Sequence, residues 1–230
     1  MNNQKNPINS RALAVSQIIS ILFNVAISAG ILFLAAESIN WFYGWVYILS
    51  YLAFRLISMF VSLKHARWED TRPKRSFMDQ VISTGYSLTH PITLFLAGFE
   101  YRLTGNSIAF GATTQIIAVV FLLLIFSLLI WAQAENPYFD TQSTTINKDH
   151  TIINTGPYQF IRHPGYAGLF MLALVRPIVL GSRLGILPAI IGAFLMLLQT
   201  IREDYLLQRE HEGYKEYAEK VKHRMFSGIW

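Results

Sequence analysis

The sequence predicts an all-α integral membrane protein, with about four transmembrane helices followed by a C-terminal helical hairpin. Three observations carry this. Of 230 residues, 53% are hydrophobic and only 14% are charged, whereas a soluble domain carries about a quarter charged residues. The apolar residues fall in runs near the ~20 that a helix needs to cross ~30 Å of hydrocarbon. Lysine and arginine gather in the connections between those runs. The net charge of +5 therefore does not point to nucleic acid, because the basic residues flank apolar spans. The absence of cysteine excludes disulfides, thiolate-bound zinc and a thiol nucleophile.

The polar start, "MNNQKNPINSR", does not read as a cleavable signal, since the run after it is long enough to span. Spans are expected at 13–36, 41–63, 81–99 and 108–132. A polar segment, 134–165, follows. The next apolar stretch, 167–198, is too long for one simple span. "RPIVLGSRLG" at 176–185 interrupts it with Pro177, Gly181, Ser182 and Gly185, which reads as two short helices joined by a turn. The segment 203–230 is charged and amphipathic, and is expected in water or at the interface. The chain thus divides into transmembrane helices at 1–133 and a chemistry-bearing region at 134–230.

Orientation follows from the basic residues. "KHARWEDTRPKR" after the second run holds five Lys or Arg, and 202–230 holds six. The positive-inside rule then puts the N-terminus, the 64–80 connection, the 134–165 segment and the C-terminus in the cytoplasm. These placements agree only if 167–198 returns to the side it left, as a hairpin does. Trp41, Tyr43, Trp45 and Tyr47 read as an aromatic belt at the outer interface. Three polar residues lie inside spans. Arg55 is either functional or snorkels to the headgroups. His90-Pro91 reads as a kink with a satisfied histidine, or as a substrate contact. Asn24 reads as a hydrogen bond between helices.

The stretch "TGPYQFIRHPGYAG" at 155–168 concentrates chemistry. Thr151, Ile152 and Ile153 after His150 are rich in β-branched residues and expected to be extended. Gly156-Pro157 makes a turn before Tyr158. Pro164 keeps His163 out of the α region and suits the first turn of a helix. Arg162, His163 and Tyr166 then sit at a helix N-terminus, which favours anionic groups. A returning hairpin brings Glu203, followed by Asp204, near His163 and Tyr166. The bland alternative is an interfacial loop whose Arg and His meet lipid phosphates. No His-x-x-x-His or Cys-x-x-Cys pattern supports a metal site. No Gly-x-Ser-x-Gly elbow, Walker loop or Gly-x-Gly-x-x-Gly is found.

"HTII…TGPYQFIRHPGYAG", with "EDYLL" and "GYKEYAEKVKHR…GIW" downstream, resembles the isoprenylcysteine carboxyl methyltransferase family over about 136–230. The resemblance implies membrane helices around a cytoplasmic pocket for S-adenosylmethionine. By position it implies cofactor binding by His150, Thr151, Ile152, Ile153, Tyr158, His163, Pro164, Gly165, Tyr166 and Glu203. Glu203 would meet the cofactor's amino group, and Glu203 and Arg162 are the candidates for catalytic roles. It implies a lipid-like or prenylated acceptor, reached from the membrane lipids. The departure is Gln199. The family commonly carries an Arg four residues before the Glu, facing the substrate carboxylate. Residues i and i+4 share a helix face, so Gln199 takes the substrate-facing place without a charge. Arg202 lies to one side and would substitute only with rearrangement.

Methyl transfer fits these residues. A carboxylate acceptor is ionised at pH 7 and needs no general base. An amine acceptor would need one, with Glu203, His163 or Tyr166 as candidates. The rivals are a phospholipid or amine N-methyltransferase, an NADPH-dependent membrane enzyme resembling sterol reductases, and a non-enzymatic membrane protein such as a transporter component.

Overall fold

In the computed structural model, residues 10–65, 76–105, 110–137 and 151–230 are described. Among them are seven α-helices and no strand. These are α1 (Ser10–Ala36), α2 (Phe42–His65), α3 (Phe77–Thr104), α4 (Ala112–Glu135), α5 (Pro164–Val179), α6 (Ile186–Glu210) and α7 (Tyr214–Lys220). A 3-10 turn, Gly156–Gln159, precedes α5.

Four helices are long and apolar enough to cross a membrane: α1, α2, α4 and α6. The third expected span forms a helix, α3, of 28 residues, but it is too polar to stand among those four. The reason lies in its two faces. Asp79, Ser83, Thr89 and Thr93 are buried in the bundle, while Val81, Leu88, Ile92, Phe95 and Phe99 are exposed. This is the inverse of a soluble amphipathic helix. Its polar groups are satisfied locally: Thr93 Oγ1 donates to the Thr89 carbonyl at 2.7 Å.

The hairpin forms with two differences from expectation. Its first helix, α5, has 16 residues, about 24 Å. Its second, α6, is not short: it has 25 residues and continues through Glu203 to Glu210. The charged segment after 203 therefore begins as helix, because its apolar and polar residues keep the helical period. Pro177 lies inside α5 and does not end it. The turn falls at 180–185, where Gly181 takes φ 67° and the Gly185 N–H donates to Ser182 Oγ at 2.9 Å. Glu100 of α3 caps this turn, accepting from Ser182 Oγ at 2.7 Å and from the Leu184 N–H at 2.9 Å.

The helices close into a ring. α1 packs on α2, α2 on α4, α4 on α5, α5 on α6, α6 on α3, and α3 on α1. The short link between α1 and α2 makes them adjacent. The far end of α3 reaches it, with Trp41 stacked on Tyr101 at 4.3 Å and the Tyr101 hydroxyl donating to the Asn40 carbonyl at 3.0 Å. The expected aromatic belt is therefore only partly a belt. Trp41 and Tyr47 turn inward and are buried, while Trp45 stays exposed. Helical spacing puts Gly44, Tyr47 and Tyr51 on the face that meets the bundle. His90 is satisfied, as expected, within hydrogen-bond reach of Ser28 Oγ at 3.2 Å and the Tyr47 hydroxyl at 3.3 Å. Asn24 does not bridge helices. It is exposed, and its amide donates to the Ser20 carbonyl one turn back in α1.

Contact between α1 and α3 is close at Gly98, where an added Cβ would run into the Leu32 carbonyl and lie 2.8 Å from Ala35 Cβ. Gly98→Val is expected to lower the melting temperature in detergent, with an overpacking cost of about 1–3 kcal/mol. Gly30→Val, where the added Cβ meets nothing within 4 Å, is the control that should melt near wild type.

Candidate functional site

The site is built where the start of α5, the last turns of α6 and the chain after α7 meet. Thr151, Ile152 and Ile153 form a non-helical arm. Ile152 lies beside Gly213, whose φ of 80° sets the bend between α6 and α7. The Gly156-Pro157 turn forms as expected. Gly156 adopts φ 56°, and a side chain there would run into Glu135 at the end of α4. Thr155 Oγ1 donates to the same Glu135 carboxylate at 2.7 Å. Tyr158 is buried, accepting from the Asn136 amide at 3.2 Å, and its carbonyl accepts from the Tyr217 hydroxyl at 2.7 Å. Pro164 begins α5, and His163 precedes it at φ −126°, ψ 61°, outside the α region as expected. Gly165 and Tyr166 complete the buried first turn.

Glu203 does come near His163 and Tyr166. The Tyr166 hydroxyl donates to Glu203 Oε2 at 2.6 Å, and His163 Nδ1 lies 3.7 Å from Glu203 Oε1. Glu203 keeps 21% of its side chain exposed, while His163 keeps 4%.

Asp204, one residue on, faces the other way and is closed to solvent. Arg162 grips it bidentately, Nε to Oδ1 at 2.7 Å and Nη2 to Oδ2 at 2.9 Å. His163 Nε2 lies 3.2 Å from Oδ1, and Arg224 Nε and Gln208 Nε2 donate to Oδ2 at 2.8 and 2.7 Å. The Tyr214 hydroxyl reaches Oδ1 at 3.3 Å. Arg162 Nη1 also donates to the Val221 carbonyl at 2.7 Å. The backbone repeats the tie: Arg162 N–H donates to the His223 carbonyl at 2.9 Å, and His163 N–H to the Arg224 carbonyl at 2.8 Å. Burial alone would lower the Arg162 pKa, but the hydrogen-bonded Asp204 carboxylate outweighs it and holds the guanidinium above its ordinary value. Burial pushes the Tyr158, Tyr214 and Tyr217 hydroxyls up.

Gln199 and Arg202 sit apart from Glu203's partners, on the start of α3. Gln199 is buried, with Nε2 3.4 Å from Asp79 Oδ1. Arg202 Nη2 lies 3.5 Å from the same oxygen and 3.3 Å from Ser76 Oγ. Asp79 in turn closes a capping box with Ser76. His150 lies outside the described residues. So do the connections at 66–75 and 138–149, residues 1–9, and 106–109 where the fourth span was expected to begin. Sequence reasoning passed over Tyr214, Arg224 and Gln208. The i, i+4 spacing of Asp204 and Gln208 is visible in the sequence, whereas the other two reach the site only through the fold after α7.

The residues from 113 to 208 match the sequence model of the isoprenylcysteine carboxyl methyltransferase family. The chain is 31% identical over 91 residues to a protein-S-isoprenylcysteine O-methyltransferase of Schizosaccharomyces pombe, covering 39% of each. It is 32% identical over 83 residues to one of Dictyostelium discoideum, covering 35% of this chain and 33% of that protein. The chain thus spans about two fifths or less of the length of these curated relatives. The match bears out the resemblance over α4, the arm, α5 and nearly all of α6, but it ends before α7. It begins earlier than 136 and takes in nearly all of α4.

Asp204→Ala would leave Arg162 buried without its anion, at a cost of about 3–5 kcal/mol. Hydrogen exchange of residues 221–230 is expected to rise sharply in that variant. Arg224→Ala, whose side chain is 34% exposed, should change it less. A second expectation concerns alkali. An unfolded tyrosine ionises near pH ~10, while the buried hydroxyls keep their protons above it. The fold then binds more protons than the unfolded chain, so stability falls as pH rises past about 10. Thermal melts from about pH 8 to 11 test this, and Tyr214→Phe should flatten the fall.

Proposed function

We propose that this chain is a membrane methyltransferase that uses S-adenosylmethionine to methylate the carboxylate of a lipid-like or prenylated acceptor. The observation that carries this reading is the partly exposed Glu203 carboxylate, oriented by the Tyr166 hydroxyl at 2.6 Å beside the first turn of α5. The donor set suits a molecule with both an ammonium and a carboxylate. Glu203 accepts from the ammonium, and the α5 N-terminus favours the carboxylate. An acidic group there suits S-adenosylmethionine better than the extra phosphate of NADPH. The bound cofactor supplies a methyl group on a cationic sulfur.

The protein's own work is orientation and exclusion of water. Tyr166 fixes Glu203. His163, held between Glu203 and Asp204, keeps the two acidic residues on opposite sides. Arg162 acts through Asp204, as a positioning residue for the wall. Thr151, Ile152, Ile153, Tyr158, Pro164 and Gly165 line the same wall, and the family resemblance adds His150 as a cofactor residue. The acceptor enters from the lipid side and the cofactor from the cytoplasm, with both termini on that face. Residues 134–230 carry the chemistry, and 1–133 supply most of the frame.

One observation favours a second reading. Gln199 brings no charge to the acceptor side, and the carboxylate beside it is Asp79. A neutral amide backed by an acid suits an amine acceptor, as in a phospholipid N-methyltransferase.

Titration of the detergent-purified chain separates these. S-adenosylhomocysteine is expected to bind, NADPH is not, and Glu203→Ala should weaken the former about tenfold or more. No binding of S-adenosylhomocysteine by the wild type would overturn the proposal. Gln199→Arg should raise turnover of a carboxylate acceptor such as farnesylcysteine. No gain there, with methylation of phosphatidylethanolamine, would give the second reading.

A further inference from the structure

A second polar cluster lies in the middle of the helix ring, apart from Glu203. Arg176, near the end of α5, is buried, and its Nε donates to the Tyr47 hydroxyl at 3.1 Å. Arg55 of α2 donates from Nη1 to the Tyr51 hydroxyl at 3.0 Å. His90 lies 3.3 Å from the Tyr47 hydroxyl that Arg176 also reaches. Tyr51 lies with its ring 5.4 Å from the His90 ring. Tyr86 sits beside Arg176 and donates to the Leu169 carbonyl at 3.0 Å. Ten residues of α5, about 15 Å, separate Arg176 from Tyr166.

Arg55 does not snorkel to the nearer end of its helix. That end is His65, yet the guanidinium reaches back a full turn to Tyr51 and lies 5.8 Å from the centre of its ring. Both arginines therefore turn their charge toward the interior. Among the described residues no carboxylate pairs with either; their partners are phenols. The α5 C-terminus offsets part of the Arg176 charge, but a helix end carries only about half a charge and does nothing for Arg55. Two such cations in an apolar surround are costly unless an anion joins them. Tyr51, Arg55, Tyr86 and His90 are each only partly buried, which leaves the edge of the cluster open to a ligand.

The geometry points to a binding site for an anionic amphiphile inside the ring. Its carboxylate or phosphate head would sit between Arg55 and Arg176, taking hydrogen bonds from the surrounding tyrosines. A free inorganic anion would have to cross hydrocarbon, whereas an amphiphile arrives from the lipid with its tail solvated. The inference is independent of the methyltransferase reading, because it uses none of the residues around Glu203.

The full chain in dodecyl maltoside can be titrated with oleate, monododecyl phosphate and oleyl alcohol by isothermal calorimetry. At least one of the two anions is expected to bind about tenfold or more tighter than the alcohol. The tighter anion tells carboxylate from phosphate. Arg55→Gln and Arg176→Gln should each weaken the anion severalfold and leave the alcohol unchanged. S-adenosylhomocysteine affinity should not move in Arg55→Gln, which separates this site from the other. Equal affinity for alcohol and both anions, no binding of either anion, or an unchanged anion affinity in Arg55→Gln would overturn the inference. If Arg176→Gln does not fold, Arg55→Gln decides alone.

Discussion

Asp204 ends the apolar run of α6, and four stretches of chain converge on its two oxygens. Arg162 and His163 come from the start of α5, Gln208 from the next turn of α6, Tyr214 from α7, and Arg224 from the segment beyond. Removing a carboxylate from water costs several kcal/mol unless its lone pairs are filled. Here they are filled by charged and neutral donors in good geometry. The consequence is positional. With Asp204 turned inward and held, its neighbour Glu203 is turned toward Tyr166 and keeps its exposure. The structural acid and the functional candidate are consecutive residues on one helix, and the first aims the second.

Much of this frame was legible in the sequence because lipid imposes simple rules. Length and hydropathy define α1, α2 and α4 within a few residues, and Pro164 marks the start of α5. The Gly156-Pro157 turn and the approach of Glu203 to Tyr166 followed from local chemistry and from the return of the hairpin. Other features needed the fold. The true length of α6 was hidden because charge after residue 202 looks like an exit from the membrane. Trp41 and Tyr47 look like belt residues until the packing of α3 shows which face they occupy. Arg224 and Tyr214 act through a backbone return that no periodicity encodes. The role of Gln199 belongs to the same group, since its partner Asp79 lies far away in the chain on α3.

The two polar centres also differ in kind. Around Asp204 the charges are balanced within the protein, and the arrangement is rigid by construction. Around Arg176 the cations outnumber the anions among the described residues, and phenols and an imidazole fill the remaining positions. A balanced cluster holds its own shape. An unbalanced one gains stability from whatever brings the missing charge, so ligand and fold are thermodynamically linked there.

The ties from Arg162 and His163 to the backbone of 223 and 224 bear on timing as well as shape. Synthesis runs from the N-terminus, so α1 to α6 are all made before the residues that complete the wall beside Glu203. A nascent chain that ends at α6 still lacks the two carbonyls to which the Arg162 and His163 N–H groups donate. The wall beside Glu203 therefore closes only after α6 has been made, and a chain cut short after α6 would be an inserted bundle with an open, unformed wall.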